Sequence, residues 1–76
     1  MSTDDHLIYM ANQIARNFAA TGTDAAIAAT ADHIKAFWDP RMKQRLFAHY
    51  ANGGEGLDAI ATSAVERLRS APTHDR

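Results

Sequence analysis

Apolar side chains recur at helical intervals along nearly the whole chain. Leu7, Met10, Ala11, Ile14 and Phe18 form one stripe, and Ile27, Ala31, Ile34 and Trp38 form a second. Met42, Leu46 and Tyr50 share a side of a third segment with Phe47 at its edge, and Leu57, Ile60, Ala61, Ala64, Val65 and Leu68 line a fourth. The punctuation agrees with four helices. Thr3, Asp4 or Asp5 can cap the first, and the turn around Gly22 ends it, leaving Thr23 or Asp24 to cap the second. Asp39-Pro40 breaks the second helix, because proline disfavours the α conformation in the residue before it. Proline suits the first position of a new helix, so Asp39 is the expected N-cap of the third. Gly53-Gly54 stops that helix, and Asp58 caps the fourth.

No strand-like alternation and no internal repeat competes with this pattern. The expected fold is all-α: a compact array of about four short helices, an irregular bundle rather than a long regular one. Residues 1–70 read as a single domain, and residues 71–76, with Pro72, as a frayed or disordered tail.

A chain of 76 residues has room for one small core. A domain this size buries only about 60% of the surface its unfolded chain exposes, so a disulfide, a metal or a partner often adds stability. There is no cysteine. That removes disulfides, thiolate metal ligands and a cysteine nucleophile together. Eight Lys and Arg stand against nine Asp and Glu. This balance argues against a nucleic-acid binder, whose affinity comes largely from neutralising phosphates. No apolar run approaches the roughly 18 residues that cross a bilayer. The acidic start of the chain has no apolar signal core, so no membrane association is expected and the cytoplasm is the expected compartment.

The search for catalytic chemistry finds little. The histidines His6, His33, His49 and His74 contain no i,i+4 pair, and the expected metal site is none. Asp32 and His33 are neighbours that point about 100° apart on a helix, which is not a dyad. Ser2, Ser63 and Ser70 lie in no GxSxG turn. The glycine-rich piece from Asn52 to Gly56 lacks the lysine-serine ending and preceding strand of a phosphate loop. No catalytic or cofactor-binding residue is assigned.

Candidate partner-binding residues are those the helical stripes do not absorb. Tyr9 falls on the polar side of the first helix with Asn12, Gln13 and Arg16. Phe37 lies off the second stripe, near Ala26, Thr30 and His33, where widening the buried face is favoured over a partner contact. Arg41, Arg45 and His49 follow one another at four-residue intervals as a basic strip. The arginines suit bidentate contacts with a partner's carboxylates, although a solvated helix face would look the same.

At residues 37–42 a family becomes recognisable. Met10-Ala11-Asn12-Gln13-Ile14-Ala15, Ala31-Asp32-His33-Ile34, Phe37-Trp38-Asp39-Pro40-Arg41-Met42 and Gly53-Gly54-Glu55-Gly56-Leu57-Asp58 occur in this order. Together they resemble the delta subunit of soluble, multisubunit NAD-dependent formate dehydrogenases of the molybdenum or tungsten type. The piece at 37–42 is the most specific. The chain departs from the family at Ala59, where proline often stands, which affects only how firmly the fourth helix starts.

The resemblance implies a non-catalytic accessory subunit of an oxidoreductase complex. That complex carries bis-molybdopterin guanine dinucleotide molybdenum or tungsten, iron–sulfur clusters and FMN in its other subunits, and none in this chain. The implied partners are the other formate dehydrogenase subunits, the catalytic alpha subunit first among them, with Tyr9, Phe37, Arg41 and Arg45 as the candidate contacts. The alternative is a maturation chaperone that assists insertion of the molybdenum cofactor. An isolated chain with a vacant apolar surface would be able to form a homodimer.

Overall fold

The computed structural model describes residues 3–70. Four α-helices, α1 (Thr3–Phe18), α2 (Thr23–Phe37), α3 (Pro40–Ala51) and α4 (Ala59–Ser70), follow the four apolar stripes, with a single 3-10 turn, Ala19–Thr21, after α1. No strand occurs among the described residues. The radius of gyration is 11.6 Å. A compact chain of this length is expected at about 11 Å, so the helices are fully collapsed on one another. The expected tail at residues 71–76 lies outside the described residues, as does any capping that precedes Thr3.

Two of the expected caps form. Asp39 accepts a hydrogen bond from the Met42 amide at 2.9 Å, and Asp58 accepts one from the Ala61 amide at 2.7 Å. Such a cap is worth about 1 kcal/mol. Gly53 and Gly54 carry the chain out of α3 at positive φ, as expected.

The start of α2 differs. Gly22, with φ 102° and ψ 152°, is the N-cap residue, no side chain caps this end, and Thr23 is already helical. The 3-10 turn moves the boundary back by one residue, and its own hydroxyl, Thr21 Oγ1, donates to the Phe18 carbonyl at 2.7 Å. A backbone at this φ suits glycine alone, so the entry into α2 is set by main-chain geometry rather than by a side-chain oxygen.

The core joins Leu7, Ala11 and Ala15 of α1 to Ile34 and Trp38, to Leu46 of α3, and to Ala61 and Val65 of α4. Trp38 is core, as its place on the second stripe predicts. Ala31 and Ile34 of that stripe are buried as well, and the buried face is wider than expected. Ala26 and Thr30 are completely buried, whereas Ile27 is only partly covered. The most extensive helix contact is between α2 and α4, and Ala61, Ala64 and Val65 of α4 are fully buried. Small residues such as these let helix backbones pack closely.

One polar side chain stitches the array together. Asn12 of α1 donates through Nδ2 to the Gly56 carbonyl at 2.8 Å and accepts through Oδ1 from the Asp58 amide at 2.9 Å. The amide thus satisfies both faces of the loop that leads into α4, more than forty residues away in sequence. Ile8 packs beneath this loop, close enough that a Cβ on Gly56 would sit 3.4 Å from its Cγ2.

Two stability predictions follow from this packing. Asn12→Ala removes two hydrogen bonds and strands their partners, so it should cost about 2 kcal/mol in a urea melt, with Asn12→Asp losing less because it keeps the acceptor. Thr30 Oγ1 is buried without a hydrogen-bond partner. Thr30→Val keeps the shape and removes the unsatisfied hydroxyl, so its melting midpoint should equal or exceed that of the parent.

Candidate docking surface

Apart from Ile27 and the wider face of α2, the interior holds to the helical pattern, which makes the exposed aromatics conspicuous. Tyr9 is 54% exposed and Phe37 is 74% exposed. Tyr9 stands on the outer side of α1, away from Leu7, Ala11 and Ala15, as its polar neighbours predict. Phe37 does not widen the buried face, contrary to the favoured sequence expectation. Seven residues make almost two helical turns, so Phe37 projects in nearly the direction of Thr30, which is fully buried. The cover over that face therefore stops before the last turn of α2. His33, one turn back, lies against Phe37 with ring centroids 4.7 Å apart and planes tilted by 42°.

The basic strip on α3 divides once its partners are visible. Arg45 Nε reaches Asp4 Oδ1 of α1 at 3.0 Å. His49 Nε2 is the hydrogen-bond partner of the Glu55 carbonyl at 2.6 Å, which ties α3 to the loop that Asn12 also holds. Arg41 is exposed and makes no hydrogen bond or ion pair among the described residues. Lys43 bends back so that its Nζ donates to the Lys35 carbonyl at 2.8 Å. A cation there satisfies a terminal carbonyl of α2 and sits at the negative end of its dipole.

No hydrogen bond, ion pair or ring contact joins any two of Tyr9, Phe37, Arg41 and Arg45. Phe37 and Arg41 share the α2–α3 corner, Arg45 is engaged with α1, and Tyr9 lies on a different helix. Sequence reasoning passed over Lys35 and Lys43, although a charge count would have found them. Residues 35–45 hold Lys35, Arg41, Lys43 and Arg45 against the single carboxylate of Asp39.

A family model for the NADH-dependent formate dehydrogenase delta subunit, FdsD, matches residues 6–65. This chain belongs to that family. No curated protein and no solved structure matches it. As a delta subunit it is part of a formate dehydrogenase complex, and its partners are other subunits of that complex. The four pieces that carry the resemblance pair up in space. Asn12 of the first clamps the Gly56–Asp58 end of the last, and His33 of the second stacks on Phe37 of the third. Folding accounts for Asn12, Ile34, Trp38, Asp39 and Asp58 of this delta subunit, and leaves Phe37 and Arg41 without a structural task.

Cysteine is absent, and the described residues contain no group of three or more His, Cys, Asp or Glu able to hold a metal ion. No described helix is long and apolar enough to cross a membrane.

At the far end of α3, Tyr50 donates its hydroxyl to Glu66 at 2.7 Å, with the Arg69 guanidinium 5.1 Å from the ring centroid. The hydrogen bond to Glu66 raises the Tyr50 pKa, burial and the Glu66 charge add to the rise, and Arg69 opposes it. A raised tyrosine pKa means that the folded state favours the protonated form. Its contribution is whole below the ordinary value of about 10 and is lost as pH climbs through the folded-state value. Urea midpoints should accordingly fall more steeply above about pH 10 in the parent chain than in Tyr50→Phe.

Proposed function

We propose that this delta subunit is a non-catalytic accessory subunit that docks on the larger, molybdenum-containing subunits of formate dehydrogenase, the catalytic alpha subunit first, and assembles or stabilises the complex. The observation that carries the reading is the exposure of Phe37 on a helix face whose earlier turns, at Ala26 and Thr30, are fully buried. A large aromatic left in water loses roughly 1.5–3 kcal/mol of burial that a partner would recover. Phe37 and Arg41 form the centre of the contact, and Tyr9 supplies a second point on α1. Arg45 joins by exchanging its carboxylate. Its pair with Asp4 is about half exposed, with side-chain exposures of 49% and 47%, so giving it up costs little, on the order of 0.2–1 kcal/mol. The missing ligand sets support a division of labour in which the complex's redox groups sit in the other subunits.

The experiment is purification of active enzyme through a tag on another subunit. An accessory subunit remains in a fixed ratio to the alpha subunit through successive columns. A chain that is absent from the finished enzyme, yet binds the cofactor-free large subunit, would instead be a maturation chaperone.

A further inference from the structure

The α2–α3 corner has a composition that specifies what it receives. Its apolar element is one aromatic ring, Phe37, which continues the Ala26–Thr30 direction of α2 past its buried turns and is backed on one side by the His33 ring. Its charge is one-sided. Lys35 is exposed on the same last turns of α2, Arg41 is exposed at the second residue of α3, and Lys43 adds its ammonium at the end of α2. Within residues 35–45 the one carboxylate, Asp39, is already engaged as the cap of α3, and Asp32 stands one turn before Lys35 and Ala36. The chain as a whole has a formal net charge of −1. Half of its eight Lys and Arg thus fall within residues 35–45, three of them at this corner and the fourth, Arg45, turned to Asp4.

Resting on the docking role proposed above, we propose that this corner receives a short acidic segment of another formate dehydrogenase subunit, carrying an aromatic or aliphatic side chain beside its carboxylates. The apolar side chain lies on Phe37 and His33, and a carboxylate takes the fork of Arg41 in bidentate fashion. Lys35 lies at the rim, where it speeds encounter more than it tightens the complex. A second copy of this chain is a poorer occupant. Two copies of the same face would set Lys35, Arg41 and Lys43 against their like, with only Asp32, one turn back on α2, to answer three cations.

The test uses the full-length chain and, as probe, the remaining subunits of formate dehydrogenase expressed without it. Binding is measured at several salt concentrations for the parent chain, Phe37→Ala, Arg41→Glu and a control, Arg67→Glu, which reverses an exposed arginine on α4. Circular dichroism checks that each variant keeps its helices. Phe37→Ala and Arg41→Glu should each weaken binding about tenfold or more, as expected of residues at the centre of an interface. The salt dependence should persist in Phe37→Ala and shrink in Arg41→Glu, while Arg67→Glu binds like the parent. Parent-like binding by both corner variants, or an equal loss in Arg67→Glu, overturns the assignment of this corner while leaving the docking role standing. Failure of the parent chain to bind the other subunits at all overturns the docking role, and this proposal with it. A dimer of the isolated chain that Phe37→Ala abolishes, with binding to the other subunits unchanged, shows a self-contact and also overturns the proposal.

Discussion

Close approach of α2 to its neighbours is the constraint on which the remainder of this fold depends. Six of the eleven buried hydrophobic residues are alanines, so the core is assembled less from large side chains than from backbones brought together. Alanine contributes little area of its own, but it lets a facing helix come near enough for its main chain to be excluded from water. Ile34, Leu46 and Trp38 then fill what space remains. The large side chains are few, and each is worth roughly 1.5–3 kcal/mol of burial, so the register between helices matters as much as their hydrophobicity.

The same constraint explains why polar groups are placed with such economy. The α3–α4 loop has little hydrophobic cover, yet its backbone must be positioned for α4 to meet α2. Asn12 and His49 hold it through main-chain atoms, and the Asp58 cap finishes the start of the helix. Beside His49 at the same end of α3, Tyr50 reaches Glu66 and Arg69 in the later turns of α4. One side of the last turn of α2 is left uncovered, and that side carries Phe37.

For the formate dehydrogenase delta subunit, such an arrangement suits a part that completes itself on a larger body. The charge distribution has the same character. Arg45 and His49 are absorbed by internal contacts, whereas Arg41 is left over beside the exposed ring. The surface offered to a partner is what the internal contacts do not consume, and its chemistry is both aromatic and cationic.

Periodicity, caps and glycines determined the four helices, the core position of Trp38, and the breaks at Asp39-Pro40 and Gly53-Gly54, because each depends on neighbours within one or two turns. They also marked Tyr9, Phe37, Arg41 and Arg45 as residues of interest, since poor fit to a stripe is a local property. The inward side of α2 was legible at Ala31, Ile34 and Trp38, but its full width was decided only in three dimensions. Ala26 and Thr30 are also buried while Ile27 is only partly covered, because burial depends on helices packed from elsewhere in the chain. The tertiary structure likewise separated Arg41 from Arg45, because Asp4, the partner that removes Arg45 from the strip, is forty-one residues distant. Phe37 shows the division most clearly. Its direction follows from helical geometry, while its exposure follows from how the helices around α2 pack.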